Sequence, residues 1–182
     1  MNSHELSLRD KNIVLIGFMG VGKTTIGKLV VKESSRHLLD EEEIIKIEFG
    51  VMTLEKIKKY GEKTFRDKER EIITNLCSEQ KLHIISLGGG AFIQDDIRTV
   101  CLEKSIVVYL DMSWENWKDR IALIIDSRPV LHGRSMEEIE ELFYKRKEYY
   151  ADHHLKVETD GKEPIEVANQ IIDSLELSWE SN

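Results

Sequence analysis

Residues 12–34 read NIVLIGFMGVGKTTIGKLVVKES, and the order of patterns within them decides the fold. Asn12–Phe18 is an apolar, β-branched run, the composition of a strand buried on both faces. Gly17-Phe18-Met19-Gly20-Val21-Gly22-Lys23-Thr24 then follows the pattern G-x-x-x-x-G-K-[ST] and opens a helix expected from about Lys23 to Ser34. Strand, glycine turn and helix in that order are the context that a phosphate-binding loop requires. The glycines let successive backbone N–H groups turn inward as an anion nest. The helix N-terminus adds about half a positive charge. Lys23 can then reach the β and γ phosphates of a nucleotide, and the Thr24 hydroxyl can ligate Mg²⁺. The competing reading is a glycine turn that merely joins strand to helix. It is disfavoured because strand, spacing, Lys-Thr and helix all agree.

The same alternation continues along the chain. His37–Asp40, Leu82–Leu87, Ser105–Asp111 and Leu155–Glu158 read as further short strands. Thr53–Gln80 reads as two helices broken near Gly61, with Phe65, Glu69, Ile72, Ile73 and Leu76 on helical spacing. Gln94–Lys104 and Trp114–Ile125 are helical patterns, the second followed by a polar stretch, Asp126–Arg134. Ser135 with Glu138 three residues on makes a capping box. It opens a helix with Ile139, Leu142, Phe143, Arg146, Tyr149 and Tyr150 on one face. Pro164–Leu177 is a closing helix with proline near its first turn. Alternating β and α predicts a parallel sheet with helices on both faces, an αβα sandwich. Ligands in such sheets bind at the carboxyl ends of the strands.

Composition sets the limits. The chain has 182 residues, 41% of them hydrophobic, with 11 glycines. That predicts one globular domain and excludes a disordered chain. Net charge is −8, from 26 Lys and Arg against 34 Asp and Glu. An acidic surface argues against binding nucleic acid or an anionic membrane, though not against a local cationic pocket. The longest apolar run, Ile13 to Gly22, is far short of the roughly 20 residues needed to span a bilayer. The polar start MNSHELSLRDKN has no signal-peptide core, so a cytoplasmic protein is expected. Cys77 and Cys101 have no metal-site spacing and read as small core hydrophobes in a reducing compartment.

A phosphate-binding loop gives the nucleotide, not the acceptor. Four features narrow the acceptor, and each has a plainer reading beside it. Asp40-Glu41-Glu42-Glu43 closes the second strand. It can serve a metal's water shell or a substrate hydroxyl, or be a solvated helix start where acids are favoured anyway. Arg66 borders the buried face beside Phe65. It either pairs with Glu62 or Glu69 or grips an anion. Gly88-Gly89-Gly90 at a strand end permits close approach of backbone to ligand, or is a flexible loop. Arg146 lies on the apolar face of its helix, where an unpaired charge is costly, so it needs an acidic partner or an anionic ligand.

Taken together, GFMGVGKTTIG, LLD-x-E, GEKTFRDKE, SLGGGAF, VVYLD, SRPVL and the late Arg-x-x-x-Tyr resemble the shikimate kinase family, in order from about Asn12 to Glu176. The resemblance implies a nucleoside-monophosphate-kinase-like fold with a five-stranded parallel sheet. It implies ATP-dependent phosphorylation of the shikimate 3-hydroxyl, with Mg²⁺. It also implies one domain over residues 1–182. Its core would be about 12–40, 82–118 and 135–179, its substrate-binding segment about 41–80 and its lid about 119–134. By position, Gly20, Val21, Gly22, Lys23, Thr24 and Thr25 match the nucleotide loop. Arg120 matches an arginine near adenine and phosphates, and Lys162 falls in the loop near the adenine. Thr24 and Asp40 match the metal site. Asp40, Glu42, Arg66, Gly88, Gly89, Gly90 and Arg146 match the shikimate site, the two arginines gripping its carboxylate. Lys23, Arg128 and Glu42 match the catalytic groups. The partners implied are shikimate and ATP, acting on a monomer.

Three departures stand out. Glu42 replaces the usual Asp and reaches one methylene further. Ile121-Ala122-Leu123-Ile124-Ile125 replaces a more polar lid stretch. The late motif, Arg146-Lys147-Glu148-Tyr149-Tyr150, lacks a proline often seen there. Two alternatives stay open on the residues alone: a kinase of another small sugar acid such as gluconate, and a nucleotide-binding relative without transfer activity.

Overall fold

The computed structural model describes residues 10–49, 58, 61–79, 81–128 and 131–175. Strand β1 (Ile13–Ile16) is fully buried. It lies at the centre of a five-stranded parallel sheet ordered β2-β3-β1-β4-β5, where β2 is His37–Asp40, β3 His83–Ser86, β4 Ile106–Asp111 and β5 Leu155–Glu158. Ile13 pairs with Ile84 on one side and Ile106 on the other. A strand enclosed by neighbours and covered on both faces needs apolar side chains in succession, which is what NIVLIGF supplies. Truncating one of these, as in Ile84→Ala, would cost about 2–5 kcal/mol.

Helix α1 (Lys23–Ser34) begins at the loop's lysine. Helix α3 (Glu62–Glu79) buries Phe65, Ile72, Ile73 and also Glu69. It packs on α4 (Asp95–Lys104), and there the two cysteine thiols, both buried, meet with their sulfurs 3.9 Å apart. Helix α5 (Trp114–Ile124) starts on Ser113, whose hydroxyl accepts the Asn116 N–H, and runs into a 3₁₀ turn over Ile125–Ser127. The Ser135–Glu138 capping box is formed in both directions and opens α6 (Met136–Tyr150). Helix α7 (Pro164–Leu175) closes the chain against α1. No helix among the described residues is long and apolar enough to cross a membrane.

The strands and helices expected from the sequence agree with these bounds to within one or two residues. Two differences matter. A helix whose start was only one of two readings of the acidic cluster, α2 (Glu41–Phe49), starts directly on the end of β2. Asp40 makes this possible: its Oδ1 accepts the Glu42 and Glu43 amides at 3.0 and 3.4 Å, an N-cap. In the expected pair of helices broken near Gly61, only the second is seen as α3. Most of the first lies outside the described residues, as do the last two residues of the closing helix.

The apolar stretch 121–125 also finds its reason. It finishes α5 and enters the 3₁₀ turn, and Ile124 packs on the nucleotide loop, where a Cβ on Gly20 would come within 2.7 Å of it. Leu123 on the opposite side is exposed.

Candidate active site

Apart from Lys162, the polar groups of interest gather around the carboxyl ends of β1, β2 and β3. The loop after β1 needs left-handed backbone at Gly20 (φ 76°) and Gly22 (φ 101°), a conformation open mainly to glycine. Trp117 braces it by donating its indole N–H to the Met19 carbonyl at 2.8 Å. Lys23 folds back over the loop and donates to the carbonyls of Gly17 (2.8 Å) and Phe18 (3.1 Å). Burial pushes its pKa down to about 8, against the pull of Glu42. An incoming phosphate would supply the negative charge that this buried ammonium lacks.

Thr24 donates to Asp40 Oδ2 at 2.6 Å and lies 3.4 Å from the Ser86 hydroxyl. Three hard oxygens thus meet beside the loop. Asp40 serves twice, one oxygen capping α2 and the other facing Thr24. A cleft of about 220 Å³ is lined here by Gly20, Gly22, Lys23, Thr24, Thr25, Asp40, Glu42, Ser86, Gly88, Gly89, Arg120 and Arg128, among others. Across it, Arg128 Nη1 sits on both Glu42 oxygens at 2.7 and 2.9 Å. Each side chain is about a third exposed, so this pair is of the weak, exchangeable kind.

The glycine strip is anchored at one end. Gly88 donates its N–H to Glu41 Oε2 at 2.8 Å, and its carbonyl accepts from Ala91 N at 3.1 Å. The Gly89 carbonyl accepts from the Tyr150 hydroxyl at 3.0 Å. The amides of Gly89 and Gly90 make no hydrogen bond among the described residues. Two arginines close on them. A Cβ on Gly89 would lie 2.9 Å from Arg146 Nη1; one on Gly90 would lie 3.1 Å from Arg66 Nη2 and 3.6 Å from Arg146 Nη2. A side chain at either position would push a guanidinium group away from the backbone.

The two arginines differ. Arg66 gives Nη1 to both oxygens of Glu69, at 2.8 and 3.0 Å. Of its two expected partners, then, Glu69 and not the exposed Glu62 takes it. Glu69 is buried and also accepts from Gln94 at 2.7 Å; burial raises its pKa against the pull of Arg66. Arg146 is 8% exposed, lies over the Phe18 ring, and has no acidic partner and a buried Nε without an acceptor among the described residues. Burial lowers its pKa, and the nearby positive charges of Arg66 and Arg134 lower it further. An unpaired buried guanidinium beside two free amides is built for an anion small enough to fit between them.

Two expected residues stand apart from the cleft. Lys162 spends its ammonium on the Glu158 carbonyl and the Gln170 side chain, both at 2.9 Å. Val21 buries its side chain and gives its amide to the Phe18 carbonyl. Two residues at the site were not singled out by the sequence. Ser86 could have been found as the last polar residue of β3 ahead of the glycines. Glu41 carried no local signal: it is 2% exposed between two acids that face solvent more, and burial together with Glu69 raises its pKa to about 8.

A phosphate-binding loop on the central strand, a hard-oxygen cluster beside it and two arginines against the glycine strip next door define a P-loop phosphotransferase acting on a small anionic acceptor. Comparison with known proteins makes this specific. The family model for shikimate kinase matches residues 19–176. A shikimate kinase of Oceanobacillus iheyensis is 51% identical over 95% of this chain and 94% of its own. That of Bacillus subtilis is 50% identical over 96% and 94%. A solved shikimate kinase from Acinetobacter baumannii in complex with shikimate superposes with a TM-score of 0.83 at 29% identity, covering 91% of this chain and 92% of that one. The chain belongs to the shikimate kinase family.

Proposed function

We propose that this chain transfers the γ-phosphoryl group of ATP to the 3-hydroxyl of shikimate, giving shikimate 3-phosphate on the route to chorismate and the aromatic amino acids. The observation that carries this reading is Arg146, a buried cation with no acidic partner among the described residues, beside the Gly89 and Gly90 amides, which none of those residues takes, and beside Arg66. These groups would take the carboxylate of shikimate.

In this reading the loop amides and Lys23 hold the ATP phosphates. Lys23 exchanges the Gly17 and Phe18 carbonyls for phosphate oxygens. The oxygens of Thr24 and Asp40, with Ser86 close by, fit Mg²⁺, which is held by one or two carboxylates together with substrate phosphates and water. Bound there, the ion would neutralise charge on the phosphate oxygens. Residues 41–80 carry the acceptor-side groups, and 119–134 form the lid that carries Arg128. Arg128 leaves Glu42 for the transferring phosphate, and Glu42 turns to the 3-hydroxyl. The hydroxyl oxygen forms the new O–P bond and its proton passes to Glu42. The bond between the γ-phosphorus and the bridging oxygen breaks, and ADP leaves. Positioning and charge supply most of the rate, since the transfer needs little covalent help.

A coupled ADP-release assay with ATP and Mg²⁺ tests the reading. Release that depends on shikimate and not on gluconate is expected. Lys23→Ala should lower kcat by about 10²–10³-fold, the usual cost of one preorganised charge-stabilising group. No shikimate-dependent release, or equal release with gluconate, would overturn it.

A further inference from the structure

Glu41 is a buried acid at the site to which the proposed transfer gives no part, and unlike Glu69 it has no arginine partner among the described residues. It is 2% exposed in the first turn of α2, and among the described residues its only hydrogen-bond donor is the Gly88 amide. Glu69 of α3 faces it from one side, and Glu42 and Asp40 add negative charge from its own end of the helix and from β2. A carboxyl group buried among other carboxyls costs stability. The favourable helix N-terminus is already served by Glu42 and Glu43. Stability alone therefore does not explain a glutamate here.

Its contact does. Gly88 is the first residue of the glycine strip, and Glu41 comes so close that a Cβ on Gly88 would lie 2.7 Å from its Oε2. With Glu41 on the Gly88 N–H, Ala91 on the Gly88 carbonyl and Tyr150 on the Gly89 carbonyl, the strip is fixed. The remaining Gly89 and Gly90 amides are then left beside Arg146 and Arg66. We infer that Glu41 is a positioning residue: its carboxyl group holds the Gly88 amide and thereby aims the next two amides at the acceptor's carboxylate. This rests on the phosphotransfer reading above, with shikimate as the acceptor. Loss of the acceptor atom would let the strip turn, and the effect would fall on the acceptor side of the cleft and not on the nucleotide loop.

Steady-state kinetics on the full-length chain test this, with three variants. Glu41→Ala removes the acceptor. Glu41→Met fills the same space without one, and carries the test if the alanine variant does not fold. Glu41→Gln keeps an acceptor oxygen at the same reach. The expected result is a rise of about tenfold in the KM for shikimate for Ala and Met, the upper end of the worth of one ordinary hydrogen bond. The KM for ATP should stay within about twofold, and Gln should return the shikimate KM to within about threefold of wild type, because the backbone donor is satisfied again. A wild-type shikimate KM in the Met variant would overturn the inference. So would parallel rises in both KM values, or a Gln variant as impaired as Met. If the wild-type chain shows no shikimate-dependent ADP release, the phosphotransfer reading has failed. If it does and Glu41→Met is unaffected, only the role of Glu41 has failed.

Discussion

Arg66 near the start of α3 and Arg146 near the end of α6 approach the same stretch of backbone in opposite electrostatic states. Arg66 is a third exposed and is already neutralised by Glu69, so folding alone accounts for it. Arg146 is more deeply buried and meets an aromatic ring and a second arginine, but no acid among the described residues. A charge in the second condition is held at a cost to the free protein that a ligand can recover. A charge in the first condition belongs to the scaffold as much as to the site. Two arginines that look equivalent as substrate contacts should therefore respond differently to removal.

The largest expected effect is on Arg146→Leu. Shikimate affinity should fall about 10–150-fold, the range for one charge-assisted contact. The ligand-free protein should melt no lower than wild type, because a buried unpaired charge has been replaced by an apolar side chain. Calorimetric titration and thermal unfolding read the two quantities. A melting point several degrees lower would mean that Arg146 is a structural cation, and the contrast with Arg66 would collapse.

Glu42 and Arg128 add a third condition, an arginine paired with an acid that is itself open to solvent, so that the pair can change partners. Glu42→Gln keeps the reach and one acceptor but loses the charge, and should lower kcat/KM by more than about tenfold. Glu43→Gln, on a neighbouring exposed acid, should change it little. Equal small effects would make Glu42 one more solvated acid at a helix start.

Arg66→Ala should cost less affinity than Arg146→Leu, about tenfold or below, since its Nη1 is already committed to Glu69. Its mark should instead be on stability, about 1–3 kcal/mol by denaturant unfolding, because Glu69 is left buried with only Gln94. Arg66→Ala/Glu69→Gln should recover most of that stability and none of the affinity.

What could be read from the sequence was what is local. The nucleotide loop is eight consecutive residues, and the Ser135–Glu138 box spans one helical turn. Arg146 stood out because a 3.6-residue period put a charge on an apolar stripe, and the structure shows that charge without an acid beside it. What could not be read depends on residues far apart in the chain. Asp40 both caps α2 and faces Thr24, so the acids serve a helix start and the site at once, two readings that the sequence had set against each other. The hydrogen-bond partner of buried Glu41 is Gly88, 47 positions away. Which acid takes Arg66 was open between Glu62 and Glu69 until α3 showed that only Glu69 turns inward. The meeting of Cys77 and Cys101 follows from α3 packing on α4, and neither helix pattern encodes it.

The most direct test of the central claim is a four-part binding measurement: shikimate and its uncharged methyl ester, each titrated into the wild-type chain and into Arg146→Leu. If Arg146 waits for the acceptor's carboxylate, the wild-type chain should bind shikimate about 10–150-fold more tightly than the ester. The variant should lose most of that preference and bind the two almost alike. The same preference in both proteins would mean that another group reads the carboxylate and that Arg146 does not recognise the acceptor.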